Sequence, residues 1–355
     1  MKHRVLLTGS TGYLGTHLVS RLLAEANVER IFCITRQKNP ATFWSSLEAS
    51  LKSNELSVNE SNLKSKIEPV LFDLVKDRNS LLSALEPYKK TATAVHHLAC
   101  ETNYAVTVDT FKPWVEITKN FVEYCMDTQY PKELHSTGSY GHYLVDHKHS
   151  DEDFYWINGY FGYKKWLHNY IREKFLQGLK GVLFEPGYVV GPVDPGQLYM
   201  FWRIIRIFSA LGYAFPYRML VSPIDLVIDH YWLALNNPNQ GPNILTPFIK
   251  KPFLLSQSVK DVIPDLKVID FDQFRDKVMQ VFPKRAKYFG PNMLNCMESV
   301  GKTLTDTLHP LYDYSKYEKM NQTEYLLTCR SFSESIKLGQ EERNNYMKIK
   351  QQQKK

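Results

Sequence analysis

Arg4-Val5-Leu6-Leu7-Thr8-Gly9-Ser10-Thr11-Gly12-Tyr13-Leu14-Gly15 is an apolar run broken by three glycines at three-residue spacing, and it leads into Leu18 and Leu22 at helical spacing. This pattern predicts a buried strand, a tight turn and a helix packed back on the strand. Each glycine then has a task. Gly9 permits the turn, Gly12 lets the backbone approach a pyrophosphate, and Gly15 lets helix and strand pack closely, with the helix N-terminus facing the phosphates. Thr11, Tyr13 and Leu14 lie in the same turn and are expected beside the dinucleotide. A glycine-rich turn without a ligand is the alternative.

Outward from this stretch, short apolar runs alternate with helix-like segments as far as residue 190 or so. Strands are expected at Val5–Thr8, Ile31–Thr35, Ile67–Phe72, Ala94–Leu98, Lys132–Ser136 and Gly181–Glu185, with one helix near Phe43–Leu51 inside the polar connection 37–65. Strand and helix in alternation give parallel strands with crossover helices, hence an α/β fold with a doubly wound parallel sheet of the Rossmann type. Beyond Pro192-Val193-Asp194-Pro195-Gly196 the chain becomes aromatic and irregular. Residues 1–192 are read as the dinucleotide-binding domain and 193–355 mainly as a smaller substrate-binding part, with some of 220–250 returning to the first. The Gln- and Lys-rich stretch 343–355 reads as a flexible basic tail.

The second strand ends in Cys33-Ile34-Thr35-Arg36. At this place an acidic residue holds the ribose 2′-hydroxyl of NAD, whereas a guanidinium suits a 2′-phosphate, so NADP(H) is the expected cofactor, with a solvated arginine at a strand end as the alternative. Asp73-Leu74 closes the third strand, where the Asp73 carboxylate either meets the adenine amino group or caps the following turn. Leu98-Ala99 ends the fourth strand beside the expected dinucleotide.

Ser136-Thr137-Gly138-Ser139 follows the fifth strand, and downstream lies Gly159-Tyr160-Phe161-Gly162-Tyr163-Lys164-Lys165-Trp166. Tyr160 and Lys164, four apart, share one face of a helix. A cation there stabilises phenolate and makes Tyr160 a usable acid for an oxyanion formed when hydride reaches a carbonyl. Lys164 also suits the nicotinamide ribose, and the Thr137 hydroxyl suits the carbonyl oxygen.

The chain is 43% hydrophobic and 23% charged over 355 residues, with a net charge of +7. It can bury a sizeable core, and its dispersed basic residues match no nucleic-acid module. No apolar run reaches the length of a membrane span, so a cytoplasmic protein without a transmembrane segment is expected. Five scattered cysteines fit reduced thiols.

The segments quoted above, together with Pro186-Gly187-Tyr188-Val189-Val190-Gly191 and Ser222-Pro223-Ile224-Asp225-Leu226-Val227, resemble the extended short-chain dehydrogenase/reductases. Within them, the chain is similar to the thioester reductase branch: carboxylic acid reductases and the terminal reductases of peptide synthetases, with fatty acyl-CoA reductases as relatives. The likeness covers roughly Arg4 to Leu235. It implies an NADPH-dependent reductase of an acyl thioester, carried by coenzyme A or a carrier protein, giving aldehyde or alcohol. It also implies Thr137, Tyr160 and Lys164 as catalytic, with Lys165, which directly precedes Trp166 as the lysine of that branch precedes its tryptophan, as the alternative lysine, and Pro186 and Gly187 as bordering the cofactor. A nucleotide-sugar epimerase or dehydratase, a hydroxysteroid-type dehydrogenase, and a non-catalytic NADPH-binding sensor are the alternatives.

Two further features invite other readings. His142, Asp146, His147, His149, Asp151, Glu152 and Asp153 cluster in sequence but without helical metal-ligand spacing, so a solvated loop and no metal is expected. Phe201, Ile204, Ile205, Phe208 and Leu211 recur at helical spacing and read as core, with an acyl-chain wall, a carrier dock or a membrane-surface helix as the functional versions.

Overall fold

The computed structural model describes residues 2–102, 107–144, 159–193, 200–282 and 308–352. In chain order the first half runs β1 (His3–Thr8), α1 (Tyr13–Ala24), β2 (Val28–Thr35), α2 (Pro40–Ser53), α3 (Glu60–Lys66), β3 (Ile67–Leu71), α4 (Leu81–Leu85), β4 (Ala94–His97), α5 (Lys112–Cys125), β5 (Glu133–Thr137), α6 (Gly159–Leu176) and β6 (Lys180–Phe184). The second half runs β7 (Tyr188–Val190), α7 (Met200–Leu211), β8 (Tyr213–Ala214), β9 (Arg218–Met219), β10 (Val221–Pro223), α8 (Ile224–Asn236), β11 (Ile244–Leu245), β12 (Phe253–Leu254), α9 (Leu255–Val262), β13 (Lys267–Val268), α10 (Phe271–Val281), α11 (Ser315–Glu318), α12 (Gln322–Thr328) and α13 (Arg330–Gln352).

Seven strands form one parallel sheet in the order β11-β6-β5-β4-β1-β2-β3. This is the doubly wound architecture expected from the alternating pattern. Helices cover both faces, so the strands are apolar almost continuously instead of alternating. On β1, Val5 and Leu7 face the layer built by α1, α2 and α8, while Leu6 faces the layer of α4, α5 and α6. Ile31 and Cys33 on β2 take the first side, Phe32 and Ile34 the second. Each such buried side chain contributes about 1.5–3 kcal/mol relative to exposure. Between β1 and β4 the direction of winding reverses, which opens a crevice at the carboxyl ends of these two strands.

Several elements depart from the sequence reading. The polar connection after β2 carries two helices: Asn39 and Asn59 cap α2 and α3 by accepting from the backbone N–H groups of Thr42 and Asn62. Strand β11 is a seventh strand, beside β6, that the sequence reading lacks; it follows α8, which packs in the α1 layer within the stretch 220–250 read as returning to the first domain.

The remaining elements build a second core. Phe201, Trp202, Ile205 and Phe208 of α7 are fully buried against Phe215, Phe271, Phe274, Phe332 and Ile336. The apolar face of α7 is therefore occupied by the protein's own interior. Residues 343–352, read from composition as a fraying tail, continue the helix α13. The helix lies against α7, Glu342 pairs with Arg206, and Arg343 reaches Asp265 at 3.5 Å. Tertiary packing here outweighs a polar composition. Among the described residues no helix is long and apolar enough to cross a membrane.

Candidate active site

The glycine turn sits at the crevice. Gly9 has φ +76°, a conformation that L side chains rarely adopt. At Gly15 a Cβ would stand 1.9 Å from the Gly9 carbonyl oxygen, so only glycine lets α1 begin this close to the end of β1. Gly12 caps α1 in extended conformation and supplies no side chain to the first-turn N–H groups; apart from the Gly9 carbonyl, the space beside it is open. A helix N-terminus without a side-chain cap and with room beside it suits a pyrophosphate. Thr11, Tyr13 and Leu14 line the same turn, with the Thr11 carbonyl held by the Ser50 hydroxyl at 3.0 Å.

Thr8 organises the opposite wall. Its hydroxyl oxygen accepts from the backbone N–H groups of Leu98 (3.1 Å) and Ala99 (3.0 Å). With both lone pairs engaged, its proton is donated to Nδ1 of His97 at 3.0 Å, which fixes a neutral imidazole protonated at Nε2. Burial, and then the nearby Lys164 ammonium, hold the His97 pKa down to about 3. Arg36 lies exposed immediately after β2, with no ion pair to any described residue. Asp73 is used by its own turn, where its carboxylate accepts from the N–H groups of Val75 and Lys76 at 3.1 and 3.2 Å, while Leu74 is buried. Pro186 is buried, and Gly187 donates its N–H to the Ser222 hydroxyl at 2.8 Å.

At the carboxyl end of β5 the other group assembles. Lys164 is 3% exposed and donates from Nζ to the Thr137 carbonyl at 2.8 Å. Lys165, the alternative lysine, is half-buried and lies one residue further round the helix. Tyr160, one turn before Lys164, has its ring 5.5 Å from the ammonium and rests against Phe111 and Phe161. The ring of Tyr163 is as near, at 5.4 Å, but its hydroxyl is paired with Thr118 at 3.1 Å and burial pushes its pKa well above the ordinary range. Tyr163 is therefore a core residue. The Thr137 hydroxyl pairs with the hydroxyl of Tyr231, a fully buried residue of α8 that stacks on Phe184 at 3.7 Å. No motif marks Tyr231; it is reached only once α8 returns to the sheet.

Of the polar cluster around His142, Asp146, His147, His149, Asp151, Glu152 and Asp153 lie outside the described residues. His142 itself turns inward to Glu185. A cavity of about 230 Å³, lined by Glu133, His135, Lys180 and Asn237 among others, lies at the amino ends of β5 and β6, away from the glycine turn.

A family model described as Male sterility protein matches residues 7–227, from the glycine turn through the segment that starts α8. The chain belongs to this family. As a Male sterility protein family member it is an NAD(P)-binding oxidoreductase of the extended short-chain type. Its fold is that of the terminal R domain from the myxalamid PKS-NRPS biosynthetic pathway, with a TM-score of 0.70 at 18% identity over 92% of this chain and 90% of that one. A thiolation-reductase di-domain from an archaeal non-ribosomal peptide synthetase superposes with a TM-score of 0.63 at 14% identity, over 98% of this chain and 76% of that one. In sequence, the Nonribosomal peptide synthetase asaC of Aspergillus flavus is 24% identical over 259 residues, 67% of this chain and 25% of that protein. The chain spans a quarter or less of the length of the curated relatives it matches.

Proposed function

We propose that the chain is an NADPH-dependent reductase of acyl thioesters, with the acyl group presented by a carrier protein or coenzyme A and released as aldehyde or, after a second reduction, as alcohol. The observation that carries this reading is the Lys164 ammonium on the Thr137 carbonyl with Tyr160 one turn away, beside a glycine turn built for a dinucleotide. The kinship with reductase domains of peptide and polyketide synthetases supports the thioester, and the thiolation-reductase di-domain supports a carrier.

NADPH, when bound, supplies the hydride. The chain's own residues do the rest. The Gly12 backbone and the first turn of α1 hold the pyrophosphate, Arg36 the 2′-phosphate, and Lys164 the nicotinamide ribose. The Thr137 hydroxyl, backed by Tyr231, binds the thioester carbonyl oxygen and fixes its orientation. As the carbonyl carbon gains hydride, its oxygen gains charge, and Tyr160 delivers the phenolic proton to that oxygen. The Lys164 cation stabilises the resulting phenolate. The C–S bond then breaks, the hydroxyl proton leaves with the thiolate, and thiol and aldehyde are released.

Arg36→Glu tests the cofactor assignment. Loss of a charge-assisted pair, worth about 1.5–3 kcal/mol, is expected to raise KM for NADPH about 10- to 100-fold with little change for NADH. Equal effects on both cofactors would refute the role of Arg36. The function itself is tested by NADPH consumption over a panel of acyl-coenzyme A and acyl-carrier thioesters, with product analysis to count hydrides per thiol released. Turnover of sugar nucleotides with no thioester reduced would overturn the reading.

A further inference from the structure

Glu185 follows β6, His142 belongs to the 3-10 turn Tyr140–Leu144 after β5, and His168 lies on α6. Their three segments meet behind Gly138, where a Cβ would stand 3.0 Å from the Glu185 Cγ. Glu185 is fully buried, and His142 and His168 are 3% and 8% exposed. Nε2 of His142 and Nδ1 of His168 each lie 2.9 Å from the same carboxylate oxygen, Oε1, and the two rings are 4.3 Å apart between centroids. The other oxygen, Oε2, is buried and has no hydrogen-bond partner.

We infer that Glu185, His142 and His168 form a binding site for a divalent transition-metal ion of the zinc type. Two imidazoles and one carboxylate are a donor set suited to such an ion, and the ligand atoms already lie within 4.8 Å of one another. Tetrahedral coordination with bonds near 2.0–2.1 Å sets ligand atoms about 3.3 Å apart, so the 2.9 Å contacts need open by only a few tenths of an ångström. A divalent cation bound there offsets the charge of the Glu185 carboxylate in a setting where a buried charge is costly. The unpartnered Oε2 gains a ligand if the carboxylate binds through both oxygens. The ion would tie the turn after Thr137, the helix carrying Lys164, and the Pro186-Gly187 segment into one unit. That makes it a positioning element for the reacting groups.

The site is independent of the proposed substrate, so its test reads metal and not turnover. Full-length protein stripped with a chelator is titrated with Co²⁺ and with Zn²⁺. One equivalent is expected to bind, with visible d–d absorption for Co²⁺ and a raised Tm for Zn²⁺, and both signals are expected to be lost in Glu185→Gln and in His168→Gln. Absence of stoichiometric binding by the unsubstituted protein overturns the inference, as does unchanged binding in both variants. Where a variant does not fold, zinc-edge X-ray absorption on the unsubstituted protein decides. Two imidazoles and a low-atomic-number oxygen shell support the site; a spectrum without imidazole scattering refutes it.

Discussion

Tyr160→Phe is expected to lower kcat by roughly 10²–10⁴-fold, the usual worth of a positioned general acid, while NADPH affinity and Tm stay close to those of the unsubstituted enzyme. The substitution removes one hydroxyl and keeps the ring that packs on Phe111 and Phe161. Stability therefore changes little, and a loss of rate reads as chemistry. Tyr163→Phe is the internal control. That hydroxyl is committed to Thr118 inside the core and its pKa is raised by burial, so it cannot serve as an acid near neutrality. Its removal is expected to cost about 1 kcal/mol of stability and leave kcat intact. Single-turnover reduction of an active thioester under saturating NADPH checks both. An unchanged rate in Tyr160→Phe sinks the assignment of the acid, and a collapse in Tyr163→Phe instead would move the role by one turn of helix.

The parts of this molecule that were readable in sequence are those whose cause is local. The glycine turn is one: Gly9, Gly12 and Gly15 answer to a φ value and two close approaches within a dozen residues, and the family match begins at residue 7, inside the same stretch. The six long strands are another, because burial on both faces writes itself as short apolar runs. Less was readable where the cause is distant. Strand β11 has two residues and exists because Ile244 and Leu245 find Leu183 and Phe184. Helix α13 is polar enough to suggest fraying, and is held by a partner helix that composition does not reveal. Tyr231 is 94 residues from Thr137, and no spacing rule connects them. The Glu185 centre draws on three segments, and only His142 belongs to the cluster of histidines and carboxylates that the sequence displays. In sequence Glu185 is only the end of the expected strand Gly181–Glu185; its place beside two imidazoles depends on α6 and on the turn after β5.

Histidines buried as neutral groups set the acid limit of the fold. In the native protein burial is the main cause that lowers His97 to about 3 and His230 to about 4. The local hydrogen bonds explain why neither ring accepts a proton. Nδ1 of His97 already accepts from Thr8, and a second proton there would meet the hydroxyl hydrogen and sit near the Lys164 ammonium. Nδ1 of His230 donates to the Leu226 carbonyl at 2.7 Å, which leaves Nε2 buried without a partner to receive a new N–H. In the unfolded chain both rings titrate near 6.5. The sign follows: above that pH both states are neutral and stability is full. Below it the unfolded state binds protons that the native state refuses, so stability falls as pH falls, until the native rings titrate as well. The slope is about 1.4 kcal/mol per pH unit for each histidine, so His97 and His230 together account for about 2.7, or about 7 kcal/mol by pH 4, and His17, lowered by burial to about 4, and His96, held by burial well below its ordinary value, add to it in the same sense. Domains are typically stable by about 5–15 kcal/mol, so acid unfolding is expected between pH 6 and 4. Urea melts across that range check this, and His230→Phe, which keeps a ring beside Tyr312, is expected to lower the slope by about 1.4 kcal/mol per pH unit. A midpoint that does not move between pH 7 and 5 would show that the unfolded chain gains no protons over the native one, and would remove buried neutral histidine as the cause.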